Sequence, residues 1–375
     1  MVVIMKLIKK IVKNIFYFFN EIKFRGKINV DKNKSNNLEQ IIDENIKVDK
    51  IIPIRLPKND NSYKWDGAIN YNQNMYCIAN SVNEVLKLNL ENDKIKYLNI
   101  NIPNSEKFKW TGGCKYNNKI YGFPRASNKL LCIDPQNDNI SIIDIKLNYK
   151  KEHHYAGVCT KDGIIYQPPR GNNTILVINL NDYSTREIKI APKFLKYRYL
   201  SGIQHTNGLI YFFPERNEKV LVLNPKNEKI YMIGKRMKCM VFDAAIGNDD
   251  NIYGFSGYER GILKINTKKQ DAEMICKNIG IPGCFGSKLS INGKIYGIPG
   301  NGKNIWEFDV RRQEAKKIFE IDEDSNAKCA GGIMSKDGSI YAVPALGNTI
   351  YKIKFNSNKK LTEEQLNSIY FSDNY

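Results

Sequence analysis

Gly331-Gly332-Ile333-Met334-Ser335-Lys336-Asp337-Gly338-Ser339-Ile340-Tyr341-Ala342-Val343-Pro344 reads as a strand, a tight Asp-Gly turn and a second strand. Versions of this stretch recur through most of the chain. Aligned on the tyrosine that closes each Ile-Tyr or Met-Tyr pair, the copies fall at Tyr76, Tyr121, Tyr166, Tyr211, Tyr253, Tyr296 and Tyr341. The intervals are 45, 45, 45, 42, 43 and 45 residues, a period that belongs to a solenoid or a propeller.

A turn pair rich in Asn, Asp and Gly, such as Asn117-Asn118 or Asp162-Gly163, stands three to four residues before each tyrosine. These residues tolerate the positive φ that two-residue hairpin loops require. A third short run such as Val220-Leu221-Val222-Leu223 and a fourth such as Arg186–Ile190 follow, with no helical period between them. Four strands per repeat predict an all-β, seven-bladed propeller. The seventh repeat lacks a fourth strand, and Val48–Leu56 resembles one, so the sequence predicts that it pairs with Thr349–Phe355 and closes the ring.

The expected organisation is a basic amphipathic helix over 1–30, a linker over 31–46, the propeller over 47–360, and a short C-terminal helix or tail over 361–375. In the first unit, Ile4, Ile8, Ile11, Ile15, Phe18 and Ile22 form one stripe, and lysines occupy much of the remainder. Its longest uninterrupted apolar run, Ile15–Phe19, is too short for a transmembrane helix, and lysines interrupt any signal-peptide core. Such a helix lies on an anionic membrane surface or docks its stripe on its own domain. Near the other end, Thr362-Glu363-Glu364-Gln365 is a capping box.

The chain of 375 residues carries a net charge of +19, of which residues 1–30 hold +6. Lys, Asn, Ile and Tyr are abundant together, as an AT-rich genome would produce, so only the placement of charge argues for an acidic partner. Eight cysteines without a CxxC pair are expected as buried free thiols, which suits a reducing compartment: the cytoplasm, at the inner face of a membrane if the helix binds one. With three histidines in all (His153, His154 and His205), no metal and no cofactor are expected. Nucleotide-binding glycine fingerprints, RNP motifs and basic recognition helices are missing, which argues against nucleic acid.

If the turns are two-residue loops, cross-strand partners have offsets from the tyrosine that sum to −7. The residue eleven before each tyrosine then faces the residue four after it. The pairs are Trp65–Asn80, Trp110–Arg125, Tyr155–Arg170, Leu200–Glu215, Phe242–Gly257, Phe285–Gly300 and Ala330–Ala345. Blades two and three would each stack an aromatic ring on an arginine, on the face that carries the connections between blades. Those connections are basic before blades two to five (Lys107, Lys109; Lys150, Lys151, His153, His154; Lys193, Lys196, Arg198; Lys235, Arg236, Lys238) and acidic before blade seven (Asp322, Glu323, Asp324). Asp66 and His205 fall on inner strands, and Glu215 on the mouth.

The run Gly293-Lys294-Ile295-Tyr296-Gly297-Ile298-Pro299-Gly300 through Ile305-Trp306-Glu307-Phe308-Asp309 resembles a kelch repeat, with proline where kelch carries Gly-Gly. Families of that kind are mostly binding scaffolds, with some lyases, lactonases and oxidases among them, so the resemblance leaves the activity open. The expected function is therefore a monomeric, non-catalytic interaction module. Its basic aromatic face would take an acidic glycan, a sugar phosphate or an acidic protein segment. Trp65, Trp110 and Tyr155 would be platforms, Arg125 and Arg170 charge partners, and Asp66, His154, His205 and Glu215 further lining. The alternative is a lyase or hydrolase on an acidic sugar with His154 or His205 as base.

Overall fold

A computed structural model describes residues 41–57, 62–103, 106–147, 154–190, 197–321 and 328–370. Seven four-stranded antiparallel sheets make up the fold. Blades one to seven span 65–99, 110–144, 158–189, 197–240, 245–275, 284–320 and 329–355. The first strands of neighbouring blades pack on one another around the axis. Apolar clusters fill the spaces between adjacent blades, as where Ile78 and Tyr76 of blade one meet Trp110 and Ile120 of blade two. The 1–30 helix lies outside the described residues.

Val48–Arg55 is the outermost strand of blade seven, antiparallel to Thr349–Phe355, with Ile51 opposite Ile353 and Arg55 opposite Thr349. The ring closes as the sequence predicts. Residues 41–46, expected as linker, are packed instead. Ile41 and Ile46 share a cluster with Leu361 and Leu366, and Asp43 N–H donates to Ile291 O. Three polar residues, Asp43, Glu44 and Asn45, had masked two apolar anchors. The C-terminal helix Glu363–Tyr370 opens on its capping box: Gln365 N–H donates to Thr362 Oγ1 (3.1 Å) and Thr362 N–H to Gln365 Oε1 (2.9 Å). Glu363 reaches Lys115 of blade two (3.4 Å) and Lys336 of blade seven (3.1 Å), so the helix sits against the turn-side ends of the inner strands.

Turn length departs from the expectation and changes the register. Blades one and two do have two-residue loops, with Tyr71 opposite Asn74 and Tyr116 opposite Lys119. Blades three to seven have five-residue loops: Cys159 pairs Ile165, Gln204 pairs Ile210, Ile246 pairs Ile252, Leu289 pairs Ile295 and Met334 pairs Ile340. The fourth loop residue is left-handed each time (Gly163, Gly208, Asp250, Gly293, Gly338). Nearer the mouth a bulge adds a second shift, with Asp66 and Gly67 opposite one residue in blade one and φ of +82° at Gly67.

A chain beginning at Leu56 should melt about 10 °C or more below one beginning at Ile41, because it leaves Thr349–Phe355 as an unpaired edge and removes the strand that joins the two ends of the ring. Equal melting temperatures by circular dichroism would show that closure does not depend on this strand.

Candidate functional site at the connection-side mouth

A one-residue slip sends a side chain to the other face of its sheet. Trp65 therefore lies opposite Ala79, not Asn80, and Trp110 opposite Pro124, not Arg125. Both indoles are buried, and their Nε1–H groups donate to Glu84 O (2.8 Å) and Lys129 O (2.7 Å) at the start of the third strand. Tyr199 does the same in blade four, its hydroxyl donating to Lys219 O at 3.0 Å. These rings tie each inner strand to its own blade, and the two tryptophans are not ligand platforms. The next residue along each strand then takes the mouth: Asp66 and Thr111 in blades one and two, Tyr155, Leu200, Phe242 and Phe285 in blades three to six.

Tyr155 is the centre of this ring. Arg125 Cζ lies 4.6 Å from its centroid and Arg170 Cζ 5.2 Å, so the Tyr155–Arg170 pair forms as expected. Arg125, expected on Trp110, is instead held between Tyr155 and Phe108 (4.7 Å). Below the guanidinium, Asp66 Oδ2 accepts from Tyr155 Oη and Thr111 Oγ1, both at 2.9 Å, and lies 3.8 Å from Arg125. Burial pushes the Asp66 carboxyl above the usual aspartate range, and Arg125 and the two hydroxyls only partly offset it. Burial and the Asp66 charge raise the Tyr155 phenol, so it stays a proton donor at neutral pH.

Glu215 is buried between two arginines, accepting from Arg170 Nε (3.2 Å) and from Arg198 (2.9 Å). Arg170 reaches this place because Pro168 and Pro169 carry the chain out of blade three. Arg170–Asn172 then pairs as a fourth strand on blade four, with Arg170 opposite Arg198. One shell deeper, Asp243 Oδ2 meets Lys288 Nζ at 3.0 Å and accepts from Ser287 N–H. Burial also raises the Asp243 carboxyl, with Lys288 acting against it.

Across the mouth the chemistry becomes apolar. Phe242 and Phe285 have centroids 4.2 Å apart, Tyr258 lies 5.8 Å from Phe285, and Tyr155 lies 6.4 Å from Phe242. The expected Phe285–Gly300 and Phe242–Gly257 neighbours are real. A Cβ on Gly300 would stand 2.2 Å from Phe285 Cγ, and one on Gly257 would stand 2.9 Å from Phe242 Cε2. Glycine at these two positions lets the rings lie on backbone.

Neither described histidine serves the mouth as a base. His205 is at the turn-side end of its strand, its Nε2 3.1 Å from Asp250 Oδ1 and its Nδ1 accepting from Asn207 N–H. His154 is buried, with Nδ1 3.0 Å from Pro168 O and Nε2 3.5 Å from Asn172 Nδ2. It holds the loop that presents Arg170. The basic rim is also reduced. Lys109 is buried, donating to Asn83 Oδ1 and Glu106 O, with burial lowering its pKa to about 8. Lys235, Arg236 and Lys238 belong to the outer strand Lys229–Met240 and not to a connection. His153, Lys150, Lys151, Lys193, Lys196 and the acidic 322–324 lie outside the described residues. Phe108, Thr111, Arg198, Phe242, Tyr258 and Phe285 were not among the expected site residues. A glycine facing an aromatic ring was the legible sign for Phe242 and Phe285.

No protein-family model matches the chain, and no curated protein sequence matches it. Solved structures do resemble it. A streptogramin B lyase superposes with a TM-score of 0.67 at 13% identity, over 82% of this chain and 98% of that one. A virginiamycin B lyase from Staphylococcus aureus gives 0.65 at 15% identity, over 81% and 98%. The extracellular domain of a hybrid two-component system from B. thetaiotaomicron gives 0.60 at 11% identity, over 83% of this chain and 42% of that one. At such identities the likeness is one of fold. It establishes the seven-bladed propeller, and nothing in it supports a kelch-like repeat.

Folding disfavours the charged form of Asp66, so its contribution to stability is intact below the unfolded pKa and is lost as pH rises through the higher folded value. Asp66→Asn should therefore flatten the fall in stability upward from the ordinary carboxylate range, as read by denaturant midpoints across pH 4–8. An unchanged slope would place the proton elsewhere.

Proposed function

We propose that this propeller is a binding module whose connection-side mouth takes an anionic ligand. The observation that carries the reading is Arg170 directly opposite Arg198, with Arg125 beside them on Tyr155. Like charges directly across a strand pair are destabilising, and the buried Glu215 pairs with both. Among the described residues three guanidiniums meet two carboxylates there, one of them, Asp66, biased towards its neutral form, and that balance favours an anion at the mouth. An acidic glycan, a sugar phosphate or an acidic peptide would supply that anion, and guanidinium forks suit carboxylate and phosphate alike.

Titrating a uronate oligosaccharide, a sugar phosphate and an acidic peptide in parallel by calorimetry tests this. At least one should bind with salt-sensitive affinity, and Arg125→Gln with Arg170→Gln should weaken it on the order of tenfold or more. Binding unaffected by the double change would move the site away from the mouth.

A lyase or hydrolase acting on an acidic sugar at the same mouth is the second reading, and one observation favours it. The hydrogen bonds that hold Asp66 all end on Oδ2. Oδ1 is left to a substrate, next to Arg125 and with a carboxyl of raised proton affinity, as a general base requires. Turnover of an acidic sugar that Asp66→Asn abolishes while binding persists would decide for catalysis over the module.

The basic 1–30 segment is proposed to hold the protein at an anionic membrane. Its continuation at Ile41 packs beside Leu361 and Leu366, and Asp43 bonds Ile291 in a turn-side loop. Full-length protein should co-sediment with phosphatidylserine vesicles at low salt and be released at high salt. No co-sedimentation would sink the membrane role.

A further inference from the structure

Taking the mouth as an anion site, as proposed above, we infer that its ligand also carries an aromatic ring, seated on Phe242, Tyr258 and Phe285 while the anionic group meets Arg125 and Arg170. Three features join to give this two-part site. The first is the aromatic cluster itself. Phe242 lies 4.2 Å from Phe285 and 6.3 Å from Tyr258, yet Tyr258 keeps 46% of its surface in water. A half-exposed aromatic side chain set at a tilt against two others offers apolar ring surface to a ligand.

The second is the removal of side chains beneath and beside these rings. Gly257 and Gly300 stand where blades two to four carry Arg125, Arg170 and Glu215, so blades five and six give up charge at the mouth to seat rings. The third is continuity. Tyr155 touches both halves, with a guanidinium on either side and Phe242 one ring-to-ring step of 6.4 Å away. Phe108, itself 40% exposed, extends the stack beyond Arg125. A ligand that spans the mouth therefore meets cationic planes at one end and apolar ring faces at the other. An aryl phosphate or aryl carboxylate has that chemistry, and a purely polar sugar acid would leave the aromatic half unused.

The experiment titrates the full chain with phenyl phosphate, methyl phosphate and benzyl alcohol by calorimetry. Phenyl phosphate should bind on the order of tenfold tighter than methyl phosphate, the increment expected of one well-stacked ring. Tyr258→Ala, a change at an exposed position, should erase that preference and leave methyl phosphate affinity as it was. Arg125→Gln with Arg170→Gln should weaken both phosphates. Equal affinity for phenyl and methyl phosphate in the wild type overturns the two-part site while the anion reading stands. Binding of benzyl alcohol with no response to either phosphate overturns the anion reading and this inference with it.

Discussion

The ring rests on a buried phenol that has to find a hydrogen-bond partner. Each repeat tyrosine lies on the second strand of its blade with its ring in the space between blades, where an unsatisfied hydroxyl is costly. Tyr76 reaches the next blade at Asp138 and Pro135 O. Tyr211 accepts from Gln270 of blade five, and Tyr341 donates to Leu90 O of blade one, across the closure. Tyr253 and Tyr296 settle on Asp249 and Glu307 of their own blades. The cross-strand partner of the tyrosine is often a lysine lying over the ring, as with Lys87 and Lys352. Glu307 takes that place in blade six, where burial raises its carboxyl but Lys294 and Tyr296 more than reverse the effect. In blades one, four and seven the residue that reveals the repeat in the sequence is also the one that pins one blade to the next.

Blade number, ring closure and the capping box were legible because each depends on local chemistry: a period, an edge that needs a partner, and a Thr-to-Gln spacing. The mouth was only partly legible because it depends on counting through a turn. Asn72-Gln73 and Asp337-Gly338 look alike in sequence, yet one closes a two-residue loop and the other lies in a five-residue loop with Gly338 left-handed. That one residue exchanges the two faces of the inner strand. In blades one and two, where the loop is the short one, the bulge alone shifts the register and turns Trp65 and Trp110 inwards; in blade three the longer loop leaves Tyr155 at the mouth. Predicted pairs survived in blades three, five and six because their aromatic residues sit one place later relative to the strand-tying position.

Histidine placement failed for a different reason. Sequence put His205 on a channel strand, but a five-residue loop needs an acceptor for Asn207 N–H, and the imidazole supplies it. His154 likewise satisfies Pro168 O beside the two prolines that swing Arg170 across to blade four. Both are explained by backbone groups that would otherwise lack partners, and such needs are invisible until the backbone is placed.

Seven similar blades impose nearly the same constraints at every tyrosine and every strand-tying residue, so the mouth is where the copies are free to differ. They differ by sector. Blades one and two contribute Asp66 and Thr111, blades two to four contribute Arg125, Arg170, Arg198 and Glu215, and blades five and six contribute rings on glycine. Blade seven, whose sequence displays the repeat most plainly, offers Ala330 and Ala345, both buried and chemically mute. A structural repeat alone would tolerate the same small residue at all seven mouths, as in blade seven. Opposed arginines and a raised carboxyl cost stability in one sector, while the next sets the half-exposed Tyr258 against Phe242 and the buried Phe285. That cost is intelligible when a ligand with two unlike ends offsets it.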